Sequence, residues 1–138
     1  RQQMNYALEL FNHNGYICNF IIQTSPIVVK SFTIDEAKKY ISFCIQNLRK
    51  KYKLIFLSGG CRGADAIGER YAREEGFEIE YYPAQWEKYG KSAGPIRNFE
   101  MAKNADYVIC FWNNKSKGTK SMIDVAKKLK KPVKVKII

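Results

Sequence analysis

Short apolar runs alternate with amphipathic stretches along the chain, and this alternation predicts repeated strand–helix units. The apolar runs, typical of buried strands, cover residues 16–22, 54–57, 77–82, 107–112 and 133–137. Stretches with helical spacing cover residues 3–12, the segment behind a capping box at 33–36, and residues 64–75, 95–104 and 119–130. Residues 83–94 match neither period and are expected to form an irregular loop.

Repeated units of this kind favour a three-layer α/β fold, in which helices cover both faces of a mainly parallel sheet. The 138 residues, 46% of them hydrophobic, suit a single domain spanning residues 1–138. Ligands of such folds collect at the carboxyl ends of the strands, beside the N-termini of the helices. The residues that follow strands are therefore the first candidates for a functional site.

Three short motifs carry the candidate chemistry, and each leads into a stretch with helical spacing. They are SGGCRGAD at residues 58–65, GPIRN at residues 94–98 and SKGT at residues 116–119. Glycine-rich loops let backbone N–H groups approach a ligand, and a helix N-terminus adds partial positive charge. Each motif also supplies one cation, in turn Arg62, Arg97 and Lys117. The pattern predicts a phosphate-binding pocket that the three motifs share.

The residues expected to bind the ligand lie in these motifs or in the loop between them: Ser58, Gly59, Gly60, Arg62, Gly63, Asp65, Trp86, Lys91, Arg97, Asn98, Ser116, Lys117, Gly118 and Thr119. Arg97 opens a helix directly after a Gly-Pro pair and is the leading candidate; its structural alternative is an ion pair with Glu100. Trp86 is placed to stack on a base, and Lys91 to close over the ligand. Tight turns, helix caps and loop packing are the structural alternatives for the other residues.

The net charge is +11, and residues 113–138 alone carry nine lysines and one acidic residue. A basic tract of this kind attracts a polyanion such as single-stranded nucleic acid, or it is a solvated lysine face that maintains solubility. All nine cations are lysine, while arginine is the better reader of base edges, so sequence-specific DNA recognition is disfavoured. Lys134 and Lys136 on the last strand discourage further sheet pairing and favour a homodimer made through helices.

Cysteine and histidine usage argues against a metal site. The four cysteines form no CxxC pair, and the single histidine, His13, has no partner at ligand spacing. Cys44 and Cys110 fall in apolar patterns and are expected in the core. No signal pattern or membrane-length apolar run is evident, and we expect a reduced, cytoplasmic protein that does not contact a membrane.

The motif order resembles the YspA-like, cpYpsA-related branch of the SLOG superfamily. The resemblance covers roughly residues 54–135 and rests on SGGCRGADAIGERYA, PAQWEKYGKSAGPIRNFEM and ADYVICFWNNKSKGTKSMIDVA. It implies a Rossmann-like fold and the binding of a nucleotide or nucleotide-derived small molecule, with no further cofactor required. Members usually carry a Gly-Ser/Thr-Arg turn after the first strand, whereas residues 22–25 are IQTS here, which predicts an altered wall of the pocket.

A second branch of the superfamily implies an enzyme. Lonely Guy phosphoribohydrolases, which cleave the base from a nucleoside 5′-monophosphate, have a similar glycine loop and an arginine that matches Arg97. Their PGGxGTxxE signature places a glutamate where this chain has Met122, which has no proton to donate. No catalytic residue is assigned; Arg97, Asp65 and Glu100 are the candidates, and Asp65 is alternatively a contact for a ribose hydroxyl.

A third branch implies nucleic-acid binding. The DNA-processing protein of bacterial transformation, which binds single-stranded DNA, has a similar glycine loop and an arginine–asparagine pair like Arg97 and Asn98. That protein is larger, and this chain shows no obvious extra module. The sequence thus predicts a binder of a nucleotide or nucleotide-derived molecule, and two alternatives stay open: an N-glycosidic-bond hydrolase and a single-stranded nucleic-acid binder.

Overall fold

The computed structural model describes residues 17–26 and 32–138. Its five strands are β1 (Ile17–Thr24), β2 (Lys53–Ser58), β3 (Glu78–Tyr81), β4 (Tyr107–Trp112) and β5 (Val133–Ile137). They form one sheet in the order β3-β2-β1-β4-β5, in which every neighbouring pair is parallel. The prediction of a parallel sheet is confirmed, and β1 runs two residues beyond its predicted end. The helix predicted over residues 3–12 lies outside the described residues.

The described helices are α1 (Ile34–Lys51), α2 (Ala66–Glu75), α3 (Trp86–Tyr89), α4 (Ala93–Asn104) and α5 (Lys117–Lys128). The half of the capping box that involves Thr33 is confirmed, because the Thr33 hydroxyl accepts a hydrogen bond from the N–H of Glu36 at 3.1 Å. Gly76 ends α2 with a φ of 76°, a left-handed conformation that glycine adopts without strain. Local sequence signals therefore determine where α1 begins and where α2 ends.

The segment between β3 and the GPIRN motif is more regular than predicted. Residues Trp86–Tyr89 form α3, Gly90–Ser92 form a 3₁₀ turn, and α4 already begins at Ala93. The prediction of an irregular loop is therefore wrong here, and the GPIRN motif is helical. Pro95 fits the first turn of α4 because an N–H at that place needs no intrahelical acceptor and the ring fixes a helical φ.

Helices cover both faces of the sheet, which confirms the three-layer α/β fold. On one face α1 and α2 pack over Phe20, Phe56 and Phe111; on the other α4 and α5 pack over Ile21 and Leu57. Strand order reverses between β1 and β4, because the chain crosses the sheet from β3 to β4. Doubly wound folds bind ligands at the carboxyl edge of the sheet near such a reversal.

The last strand, β5, lies at the edge of the sheet, and its two lysines share one face. Lys134 and Lys136 lie on the face of β5 that is covered by α1, where the Lys136 Nζ lies 5.2 Å from the centre of the Tyr40 ring. Cys44 and Cys110 are buried in the core as predicted. Among the described residues, no helix is long and apolar enough to span a membrane.

Candidate functional site

The SGGCRGAD loop leaves the carboxyl end of β2 and leads into α2. Ser58, at the end of β2, is fully buried; its Oγ accepts a hydrogen bond from the N–H of Gly60 at 3.0 Å and donates to Glu69 Oε2 at 2.6 Å. Glu69 also accepts a hydrogen bond from Arg73 at 2.8 Å. Gly60 has a φ of 72°, so the tight turn after Ser58 requires glycine. Ser58 and Glu69 therefore anchor the loop to α2.

The buried carboxylate of Asp65 stabilises the other end of the loop. It is fully buried; its Oδ1 accepts a hydrogen bond from Gln23 Nε2 at 2.9 Å and its Oδ2 from the N–H of Cys61 at 3.0 Å. Burial raises the pKa of Asp65, while the backbone N–H groups of Cys61 and Gly59 oppose that rise. The expected contact with a ribose hydroxyl, and a role as acid or base, are not what this geometry provides, because both oxygens point inward.

Three successive backbone N–H groups in the loop have no acceptor. The amides of Arg62, Gly63 and Ala64 form no hydrogen bond with any described residue. Arg62 and Gly63 are exposed, and no atom of the described residues lies within 4 Å of the position that a Cβ on Gly63 would take. Unpaired amides ahead of a helix N-terminus, next to an arginine, form a ready-made anion site.

Arg97 lies across the same loop. From the first half of α4 its Nη1 donates to the Gly59 carbonyl at 2.7 Å, its Nη2 to Cys61 Sγ at 3.4 Å and its Nε to Asn98 Oδ1 at 3.1 Å. Among the described residues it forms no ion pair with Glu100, which was its structural alternative. Asn98 is buried and orients the guanidinium. The structure thus brings two of the three motifs together.

A cavity of about 210 Å³ opens on the other side of Arg97, between the end of β3, α3 and α4. Tyr81, Tyr82, Tyr89 and Glu100 are among its lining residues. Burial and the nearby Glu80 raise the pKa of Tyr82 to about 12, so its phenol stays neutral near pH 7. Sequence reasoning did not single out Tyr81 and Tyr82, although their place at the end of a predicted strand was a usable signal.

The two loop residues predicted to close over a ligand lie outside this cavity. Trp86 is 58% exposed and does not line it; the ring lies over Gly94, where an added Cβ would be 3.5 Å from Trp86 Cη2. Lys91 lies in the exposed 3₁₀ turn. Tyr89 rather than Trp86 is the α3 aromatic that faces the cavity.

The SKGT motif forms a capped helix start in a separate groove. Ser116 Oγ accepts a hydrogen bond from the N–H of Thr119 at 3.4 Å, and Asn113 Oδ1 accepts from the N–H of Ser116 at 2.9 Å. Thr119 is buried. Ser116 and Lys117 line an open groove of about 600 Å³ beside Trp112, and Arg97 does not line it. The SKGT groove and the cavity at Arg97 are thus separate openings, and one pocket shared by all three motifs stays a prediction.

The SKGT helix offers no carboxylate for catalysis at the expected place. Met122 is fully buried in the core between the sheet and α5. Asp124 is exposed and forms an ion pair with Lys120 at 2.8 Å. No group of three or more His, Cys, Asp or Glu side chains among the described residues could hold a metal ion.

The end of β1 forms the wall that departs from the expected Gly-Ser/Thr-Arg turn. Gln23, Thr24 and Ser25 are all buried; the N–H of Thr24 donates to the Ala64 carbonyl at 2.9 Å, and Ser25 Oγ accepts from the N–H of Asn113 at 3.2 Å. Thr24 Oγ1 is buried and has no hydrogen-bond partner among the described residues. Between Gln23 and Ser25 this wall is built from backbone contacts, one amide side chain and small hydroxyl groups.

The fold and the glycine loop define a doubly wound α/β protein of the Rossmann-like class. The chain belongs to the YspA, cpYpsA-related SLOG family, whose family model matches residues 45–89. It is 42% identical over 91 residues to the Gene 61 protein of Mycobacterium phage D29, covering 62% of this chain and 73% of that protein. The X-ray structure of TM1055 has the same fold, with a TM-score of 0.59 and 21% identity over 84% of this chain and 72% of that one.

Proposed function

We propose that this protein binds a nucleotide or nucleotide-derived small molecule at the glycine loop and the adjoining cavity. Membership of the SLOG family supports a nucleotide-related role in general terms. The observation that carries the specific proposal is the run of unpaired amides at Arg62, Gly63 and Ala64, in the loop that Arg97 contacts at Gly59 and Cys61. A phosphate is the ligand group that such a cradle accepts best.

The phosphate contacts follow from the loop. The amides of residues 62–64 donate to phosphate oxygens, the N-terminus of α2 adds its partial charge, and the exposed Arg62 supplies a full one. Arg97 keeps the loop in shape through Gly59 and Cys61, and its charge lies at the junction of loop and cavity. A ligand whose phosphate is bound at the loop therefore has the aromatic cavity next to it, on the path past Arg97.

The base occupies the aromatic cavity. At about 210 Å³ the cavity is smaller than a pocket for a whole drug-sized ligand and suits one planar group. Tyr81 and Tyr89 line the cavity, and stacking of a base on such a ring is worth about 1–3 kcal/mol. Turnover is not part of the proposal, since Met122 is a core residue and Asp65 is turned inward.

Thermal unfolding against a panel of nucleoside 5′-monophosphates, NAD, ADP-ribose and a short single-stranded oligonucleotide tests the proposal. A ligand at 100 times its dissociation constant stabilises the fold by about 2.7 kcal/mol, which raises Tm by several degrees. Cys18, Cys44 and Cys110 are buried, so Cys61 is the cysteine accessible to a thiol reagent. Because Cys61 lies in the glycine loop, a bound nucleotide is expected to shield it. The expected result is a shift with a nucleotide and slower alkylation of Cys61 when that nucleotide is present.

Arg97→Ala is the decisive variant, and Arg70→Ala is its control. Arg70 is an exposed arginine on α2 that pairs with Glu74 at 3.1 Å, away from the loop. Arg97→Ala is expected to abolish nucleotide binding and keep a cooperative unfolding transition, while Arg70→Ala keeps both. Unchanged affinity in Arg97→Ala would remove the central claim.

A second candidate function is binding of a single-stranded nucleic acid, and one surface favours it. Lys127, Lys130, Lys131 and Lys134 line an open groove of about 770 Å³ at the end of α5 and the start of β5. Within the described part of the chain, no acidic side chain lines this groove and none of the four lysines forms an ion pair. A phosphate backbone is a partner that unpaired lysines bind without base contacts.

A further inference from the structure

Glu100 is an unused acceptor in the wall of the aromatic cavity. Its carboxylate forms no hydrogen bond or ion pair with any described residue, although it lines the cavity beside Arg97. The other carboxylates nearby are engaged: Glu69 accepts from Ser58 and Arg73, and Glu80 accepts from the Tyr82 hydroxyl at 3.0 Å. Glu100 is thus the cavity's available charged acceptor.

Arg97 does not compete with Glu100 as the reader of a base edge. One N–H of each of its three nitrogens already points to the Gly59 carbonyl, Cys61 Sγ and Asn98 Oδ1, and its two remaining N–H groups can pair only with acceptor atoms of a base. The tyrosines supply aromatic rings, which hold any base without strong preference. Selectivity in this cavity therefore depends on what a carboxylate at Glu100 accepts.

We propose that the cavity selects guanine, so that the ligand is a guanine nucleotide; this inference rests on the function proposed above. Guanine is the one common base with two adjacent donors, N1–H and the N2 amino group, and a carboxylate accepts both in a bidentate pair. Adenine and cytosine present an acceptor nitrogen beside their amino group, which would face the Glu100 oxygens. Uracil presents one N–H between two carbonyl oxygens.

Dissociation constants for GMP, IMP, AMP and CMP, measured by calorimetry, test the assignment. GMP is expected to bind roughly tenfold to a hundredfold more tightly than AMP, the discrimination that a good bidentate pair provides. IMP retains N1–H and lacks the N2 amino group, so its affinity is expected to lie between those of GMP and AMP. Equal or tighter binding of AMP would overturn the guanine assignment and leave nucleotide binding intact.

Glu100→Gln separates base reading from general binding. The amide keeps one acceptor oxygen and replaces the other with a donor, so the preference for GMP over AMP is expected to fall about tenfold, with AMP binding retained or improved. Glu87→Gln is the matched control, since Glu87 is exposed on α3 and does not line the cavity. An unchanged GMP-to-AMP ratio in Glu100→Gln would overturn the assignment. Failure of every nucleotide to bind the parent protein would overturn the proposed function as well.

Discussion

Arg97 reaches its place across the glycine loop because position 59 has no side chain. A Cβ at Gly59 would lie 2.6 Å from Arg97 Nη1 and 2.8 Å from Cζ, closer than atoms of this kind approach one another. The conformation of Gly59 itself is ordinary, since its φ is not among the positive values. The need for glycine here comes from a side chain 38 positions away, and the spacing of the motif alone does not reveal it.

Gly59→Ala is expected to weaken nucleotide binding about tenfold with little loss of stability. The group that must move is the end of a flexible arginine, so the free energy of unfolding should change by less than about 1 kcal/mol. The added methyl group displaces the guanidinium from the Gly59 carbonyl without removing its charge. Calorimetric titration and urea unfolding measure the two effects.

Gly118→Ala is the control for that substitution. Within the described part of the chain nothing lies within 4 Å of the position that its Cβ would take, and the residue is in the first turn of α5, outside the glycine loop. Affinity is expected to stay at the parent value, while helix propensity raises stability by up to about 1 kcal/mol. Equal affinity in the Gly59 and Gly118 variants would show that the position of Arg97 does not matter for binding.

Asp65 is expected to make folding stability rise on acidification. Burial raises its pKa in the folded state above the unfolded value of about 3.9, so the folded protein binds that proton more tightly than the unfolded chain. Ionised Asp65 therefore costs stability at neutral pH, and the cost disappears as pH falls through the raised pKa. Asp65→Asn lacks this titration, and other carboxylates are common to both proteins.

Urea unfolding of the parent and Asp65→Asn between pH 7 and pH 4 measures this effect. The unfolding free energy of the parent minus that of the variant should increase as pH falls, whatever the constant cost of the amide. A difference that decreases on acidification would mean that the hydrogen bonds from Cys61 and Gln23 outweigh burial and lower the pKa.

At the scale of elements, the sequence is most informative where local chemistry decides the structure. The helix cap by Thr33, the helix end at Gly76 and the apolar run of β4 all follow from neighbouring residues, and the structure confirms them. The region between β3 and α4 could not be predicted in the same way. Its short helix and 3₁₀ turn depend on contacts such as Trp86 against Gly94, which no periodicity records.

In the candidate site, too, the parts set by local sequence could be predicted and the parts set by tertiary packing could not. The glycine loop was predicted from its place after a strand, and Arg97 from its place at a helix start after a Gly-Pro pair, because strand ends and helix starts meet at one edge of a parallel sheet. The cavity could not be predicted, since Tyr89 and Glu100 come together only when α3 folds back beside α4. The separate position of the SKGT groove likewise depends on where α5 begins relative to α4, and a motif does not specify that distance.

The packing of α2 on the sheet predicts that the fold is sensitive to a side chain at position 68. Gly68 faces the core, where a Cβ would lie 2.4 Å from Phe56 Cζ and 3.1 Å from Ile22 Cβ. Gly68→Ala is expected to destabilise the fold by about 1–2 kcal/mol, because overpacking costs about 1–3 kcal/mol and outweighs the gain in helix propensity. Urea unfolding followed by circular dichroism measures the change.

Gly63→Ala provides the comparison for Gly68→Ala. Gly63 has open space around its Cα and no positive φ, so its substitution is expected to change stability by less than about 0.5 kcal/mol. A Gly68 variant as stable as the Gly63 variant would mean that α2 moves away from Phe56 at little cost.

At the scale of the whole molecule, the parallel sheet separates two kinds of surface. The glycine loop, Arg97 and the aromatic cavity lie at the carboxyl ends of β2 and β3. The lysine groove lies at the amino end of β5, at the opposite edge of the sheet. The four lysines of that groove therefore do little for phosphate binding at the loop, and the two candidate functions can be tested independently.

The lysine groove is expected to bind single-stranded nucleic acid with a steep dependence on salt. Each phosphate contact contributes about −0.7 to the slope of log affinity against log salt for single strands. Lys127→Glu combined with Lys131→Glu removes two lysines from the groove, so the slope should become shallower by about 1.4 and the affinity should fall at every salt concentration. Lys50→Glu combined with Lys51→Glu changes the net charge equally at the end of another helix, α1, outside the groove. Fluorescence anisotropy of a labelled oligonucleotide at several salt concentrations measures both variants. If the α1 variant flattens the slope as much as the groove variant does, binding follows net charge and the groove is not a site.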